Sequence, residues 1–73
     1  MGEERHLRKR SFQLAGHRTS VAVEAEFWVV LEDVAARRGQ SLAGLVTEID
    51  MVRAGSGRPL ASALRVFALA EKA

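Results

Sequence analysis

The apolar period of this chain changes once, at Val23, and that change limits what the chain can become. Before it, Thr19, Val21 and Val23 alternate with Ser20, Ala22 and Glu24, the period of a half-buried β-strand. After it, Phe27, Leu31, Val34 and Ala35 recur at helical spacing, with Trp28 widening the stripe. The spacing predicts a strand over about 18–24 that runs directly into a helix over about 25–38. Glu24 and Glu26 stand where the helix dipole favours negative charge, and Gly39 follows Arg37 and Arg38 as the expected left-handed stop. Ser41 is a good N-cap for a second helix over about 41–54, with Leu42, Leu45, Val46, Ile49 and Val52 as its apolar stripe. Beyond Gly55-Ser56-Gly57, Pro59 suits the first turn of a third helix. That helix carries Leu60, Leu64 and Phe67 on one face, with Val66 and Leu69 beside it.

Upstream of the strand the pattern is less decisive. Phe12 and Leu14 alternate with polar neighbours until Ala15-Gly16 breaks the run. Gly16 fits a hairpin turn, a bulge, or the end of an arm that leads into a single strand. Residues 1–9 show no apolar period, and Arg5, Arg8 and Lys9 lead into Arg10. The expected organisation is therefore a flexible basic arm over 1–9, a domain over 10–55, and a C-terminal helix within 56–73 that packs on it.

One strand and two short helices leave a problem of stability. A chain of 73 residues buries a small fraction of its unfolded surface and usually needs a disulfide, a metal or a partner. There are no cysteines, and His6 and His17 are the only histidines, so neither disulfides nor a metal site is expected. A lone strand also leaves its backbone donors and acceptors unpaired. Pairing with a second copy would answer both needs. The expectation is a mainly α protein with one β-strand, forming an intertwined two-fold homodimer. Its strands pair as an antiparallel ribbon over a shared core of Val21, Val23, Phe27, Leu31, Leu45 and Ile49. No apolar run is long enough to span a bilayer, and the basic N-terminus lacks a signal peptide's apolar middle, so a cytoplasmic protein without membrane contact is expected.

The stretch HRTSVAVEAEFWVVLEDVAARRGQSLAGLVTEIDMVR, Ser20 to Ile49 most of all, resembles the ribbon-helix-helix DNA-binding family of the Arc and methionine-repressor kind. VAVEAEF resembles the family's strand running into its first helix. Leu31, Ala35 and Gly39-Gln40-Ser41 match its apolar positions and turn, and Leu45 and Ile49 match its second helix. GHRTSVAVE, EFW and the later LASALRVFALA are similar to a small bacterial subfamily with an added C-terminal helix. The resemblance covers roughly residues 10–70.

It implies a nucleoid-associated dimer that lays its ribbon in the major groove of double-stranded DNA and regulates transcription, as a repressor does. The groove admits a two-stranded ribbon and displays a distinct donor and acceptor pattern for each base pair. With Val21 and Val23 facing the helices, Arg18, Ser20 and Ala22 become the base-contacting candidates. Ala22 departs from the family's usual polar residue and offers only a methyl group to thymine, which shifts weight to Arg18, Arg10 and His17. Arg5, Arg8, Lys9, Arg10 and His17 are the expected phosphate contacts, joined by Ser41 and Leu42 at the second helix N-terminus.

Other chemistries fit less well. Ser11, Ser20, Ser41, Ser56 and Ser62 have only His6 and His17 as bases, so nucleophilic catalysis is not expected, nor is any cofactor. Gly55-Ser56-Gly57 lacks the Gly-Lys-Ser/Thr ending of a phosphate loop. Trp28, beside Phe27 on an apolar face, reads as packing. The rival function is an antitoxin-like or adaptor module that takes a protein partner through the C-terminal helix.

Overall fold

The computed structural model describes residues 7–72. They form two strands and three helices: β1 (Leu7–Leu14), β2 (His17–Glu24), α1 (Ala25–Arg37), α2 (Leu42–Arg53) and α3 (Leu60–Lys72). The protein is mainly helical, an antiparallel two-stranded ribbon followed by three helices. Residues 7–9, expected in the arm, open β1. Residues 1–6 of that expected arm, Arg5 among them, lie outside the described residues.

Two strands stand where the periodicity indicated one, and they pair with each other. The register runs from Leu14 opposite His17 to Leu7 opposite Glu24. Between them Ala15 and Gly16 take φ of 50° and 85°, positive at both central positions as a type I′ hairpin turn requires. The hairpin is thus the conformation adopted among those open to Gly16. It supplies a ladder along one edge of β2 within a single chain and leaves the other edge of β2 open. The expected dimer core is likewise assembled in one chain. Val21, Val23, Leu31, Leu45 and Ile49 are buried there, and Phe27 packs half-buried against them.

β1 escaped the periodicity because arginine supports half of it. Near the turn, Leu14 is buried and Phe12 packs against the core. Farther along, Trp28 of α1 takes over. Its indole Nε1 donates a 2.7 Å hydrogen bond to the Arg8 carbonyl oxygen, its ring lies 5.9 Å from that of Phe12, and the Arg10 guanidinium sits 5.1 Å from its centroid. Trp28 is only 2% exposed, as its packing role anticipated.

The helix ends follow local rules. Gly39, at φ 70°, donates to Ala36 O, and Gln40 donates to Ala35 O; together these bonds form a Schellman stop. Ser41 Oγ accepts from Gly44 N at 3.0 Å and caps α2. Pro59 O accepts from Ala63 N, so Pro59 stands just before α3. That helix buries Leu60, Ala63, Leu64 and Ala68, whereas Val66 and Leu69 face outward. The small alanines let α3 approach the core at positions where bulkier side chains would hold it off. Arg65 fastens its outer edge to the end of the ribbon through a bidentate pair with Glu24, at 2.8 and 3.3 Å.

Two substitutions test this account. Ala15→Asn replaces an alanine held in the left-handed region with a residue that tolerates it, and should raise stability by about 1 kcal/mol. The change should appear as a higher urea midpoint at unchanged slope. Trp28→Phe keeps the ring but deletes the indole donor, and should cost about 1–3 kcal/mol. Amide exchange in β1 should then accelerate more than in α2; equal changes in both would mean that the indole bond does not hold the strand.

Candidate nucleic-acid interface

Directly opposed residues of an antiparallel pair share a face, so the register sorts the ribbon's side chains. Arg8, Arg10, Phe12 and Leu14 share the helix-facing side with Val23, Val21, Thr19 and His17. Leu7, Lys9, Ser11 and Gln13 share the outer side with Glu24, Ala22, Ser20 and Arg18. The expected base-contacting residues Arg18, Ser20 and Ala22 therefore do lie together on the face turned away from the core. Lys9, Ser11 and Gln13 from β1 complete that face, brought there by the hairpin, one of the conformations open to Gly16. The alternation of Phe12 and Leu14 up to Gly16 was the available signal for their orientation.

The outer face is polar along most of its length. Ser11 Oγ and Ser20 Oγ share a 2.8 Å hydrogen bond across the strands, so each hydroxyl is already partly satisfied. Gln13 and Arg18 are exposed and opposite one another beside the turn. Lys9 and Ala22 make the corresponding pair farther from it.

The fate of the arginines separates those engaged in structure from those directed outward. Arg10 bonds to Glu32 of α1, Arg37 to Asp33, Arg53 to Asp50 and Arg65 to Glu24. Arg38 lies 3.5 Å from Glu71 and 5.4 Å from the Phe67 ring centroid, and Arg58 reaches Ser62 Oγ. Arg18 has no hydrogen-bonding or ionic partner among the described residues. Arg10, one of the expected phosphate contacts, braces β1 against α1. Its alternating position turns it toward the helices, where Glu32 and Trp28 receive it.

The remaining expected contacts are dispersed. Arg8 is exposed on the helix-facing side of β1, and His17 is exposed beside the turn. Ser41 Oγ is committed to capping α2, and Leu42 packs half-buried against the core. What this end of α2 can offer an anion is its backbone N–H groups, which a helix's first turn leaves without intrahelical partners. Arg5 lies outside the described residues. Among the described residues no group of three or more His, Cys, Asp or Glu is placed to hold a metal, and no helix is long and apolar enough to cross a membrane.

The sequence matches the ribbon-helix-helix domain over residues 7–71. The fold is similar to that of an uncharacterized protein from Bordetella pertussis Tohama I, with 35% sequence identity and a TM-score of 0.79. That match covers 90% of this chain and 55% of the other, so this chain spans just over half of that protein's length. No curated protein matches the sequence.

Proposed function

The chain belongs to the ribbon-helix-helix domain family, and on that footing we propose that it is a DNA-binding transcriptional regulator acting at the nucleoid. The outer face of the ribbon enters the major groove, with Arg18, Ser20 and Ala22 against base edges. The observation that carries this reading is Arg18. It is an exposed arginine without a partner among the described residues, on a ribbon face that the core does not use. Arginine is the commonest bidentate reader of guanine. Lys9, Arg8 and His17, the first turn of α2 at Ser41 and Leu42, and Arg5 contact phosphates. This is a binding module, and no reaction is assigned to it.

We further propose that the regulator works as a homodimer through the groove between α2 and α3. Ile49, Val52, Ala63, Val66 and Phe67 line this groove of about 320 Å³, with Arg53 and Arg58 at its rim. Val52 is 85% exposed and Met51 69%, an uneconomical placement for apolar side chains on a small free domain. A second copy related by two-fold symmetry would bury the same residues twice. This supports a dimer by a different route from the strand pairing first expected.

Arg18→Ala should cost about 1–3 kcal/mol on a preferred duplex and flatten the difference between duplexes. Lys9→Ala should weaken all duplexes similarly and lower the salt slope by about one. Titration at several salt concentrations reads both effects. If Arg18→Ala changes neither affinity nor preference at low salt, the ribbon is not the reading element.

For the dimer, the thermal midpoint should rise with protein concentration, and Val52→Asp should abolish that rise. A concentration-independent midpoint, together with a different protein co-purifying only when Val52 is intact, would replace the homodimer by the antitoxin-like or adaptor reading.

A further inference from the structure

The hairpin brings β1 alongside α1, and the two elements do not close completely on each other. Between them lies a cavity of about 290 Å³, which shares no residue with the groove between α2 and α3. Its strand side is cationic. Arg8 and Arg10 share the helix-facing side of the ribbon, and Lys9 between them borders the cavity from the outer side. Its helix side presents Ala25, Trp28 and Val29. Glu32 brings a carboxylate into the lining, and Arg10 bonds to it. That pair cancels, so Arg8 and Lys9 leave the lining with a positive balance.

The two sides of the lining together define what fits. A guanidinium beside an ammonium favours a group with several anionic oxygens, which the planar guanidinium can bind bidentately. A bare anion would gain nothing from the helix side. There Val29 is 65% exposed, and a ring laid over it and Ala25 would remove apolar surface from water. Ligand sites typically combine such an apolar floor with a few charged or polar groups that fix orientation, in volumes from about 300 Å³ upward. This cavity lies at the small end, where a single ring with one anionic group fits. A phosphate of a DNA backbone would meet the cations but brings no ring to the floor.

We infer that the cavity between β1 and α1 binds a small organic anion made of one apolar ring and one phosphate or carboxylate group. The anionic group faces Arg8 and Lys9, and the ring covers Val29 and Ala25. Arg8 and Lys9 are also phosphate contacts in the DNA-binding function proposed above, and the regulatory consequence rests on that reading. An occupied cavity withdraws these two side chains from the duplex, so the ligand lowers the affinity for DNA.

Trp28 is the sole tryptophan of the chain and lines the cavity, so its fluorescence reports occupancy in the full chain without DNA. Phenyl phosphate and benzoate serve as probes for the two anionic groups, and inorganic phosphate tests the need for the ring. At constant ionic strength, a ring-bearing probe should give a saturable change at concentrations about tenfold below those inorganic phosphate requires. Arg8→Ala should weaken that binding by about ten- to hundredfold. The Arg8 carbonyl that accepts from Trp28 is retained in this variant. Val29→Glu changes an exposed helical position and should abolish binding by setting a like charge against the anion, with circular dichroism unchanged. The inference is overturned if neither ring-bearing probe saturates, if inorganic phosphate binds as well, or if neither substitution weakens binding. A saturating ring-bearing probe should also reduce duplex affinity where the same concentration of inorganic phosphate does not; an unchanged affinity would overturn the regulatory consequence. A chain that binds the probe but no duplex would instead overturn the DNA-binding function and leave the ligand site standing.

Discussion

The closure of the ribbon by Ala15-Gly16 is the constraint from which the other features follow. A type I′ turn holds its flanking strands in one register, and a slip of one residue would exchange the two faces of the hairpin. With the turn where it is, Leu14, Val21 and Val23 enter the core together while Arg18, Ser20, Lys9 and Gln13 leave it together. The same turn pairs one edge of β2 from within the chain. That alanine occupies the first turn position, at φ 50°, places conformational strain at the point that sets the register.

The second organising feature is the division of labour among cations. Arg10, Arg37, Arg38, Arg53 and Arg65 each face a carboxylate, and these pairs link strand to helix, helix to helix, or one helical turn to the next. Several are exposed pairs, whose individual contribution to stability is small. Their importance here is that they define what is left over. On the ribbon's outer face, Arg18 and Lys9 carry positive charge with no carboxylate partner among the described residues. A net charge of only +2 thus coexists with a locally basic surface. A phosphate-rich partner responds to that local field more than to the total.

α3 completes the core and also shapes the surface beside it. By burying Leu60, Ala63, Leu64 and Ala68 it covers the outer sides of α1 and α2. Its remaining apolar residues Val66 and Leu69 then face solvent, and Val66 lines the groove together with Val52 of α2. One helix therefore supplies both the cover that a small core needs and the apolar groove to which a second copy is assigned. The ribbon and the groove belong to different parts of the chain, so a substitution in one leaves the residues of the other in place.

The sequence by itself determined the helices, their ends and the alternation of β2. These depend on bonds made within a few residues, such as Ser41 capping Gly44 or Gly39 stopping α1, and on periods that one element displays alone. It also placed Arg18, Ser20 and Ala22 on one face, because alternation from Val21 and Val23 is a local property. Tertiary structure decided the rest. β1 could not be read as a strand through Arg8, Lys9 and Arg10, since what supports it there is an indole and a carboxylate on α1, at Trp28 and Glu32. The same distant groups made Arg10 a brace between β1 and α1, and the hairpin register brought Gln13 opposite Arg18. A side chain's partner across space leaves no periodic trace in its own segment. Which cations remained available was therefore settled only when the strands and helices came together.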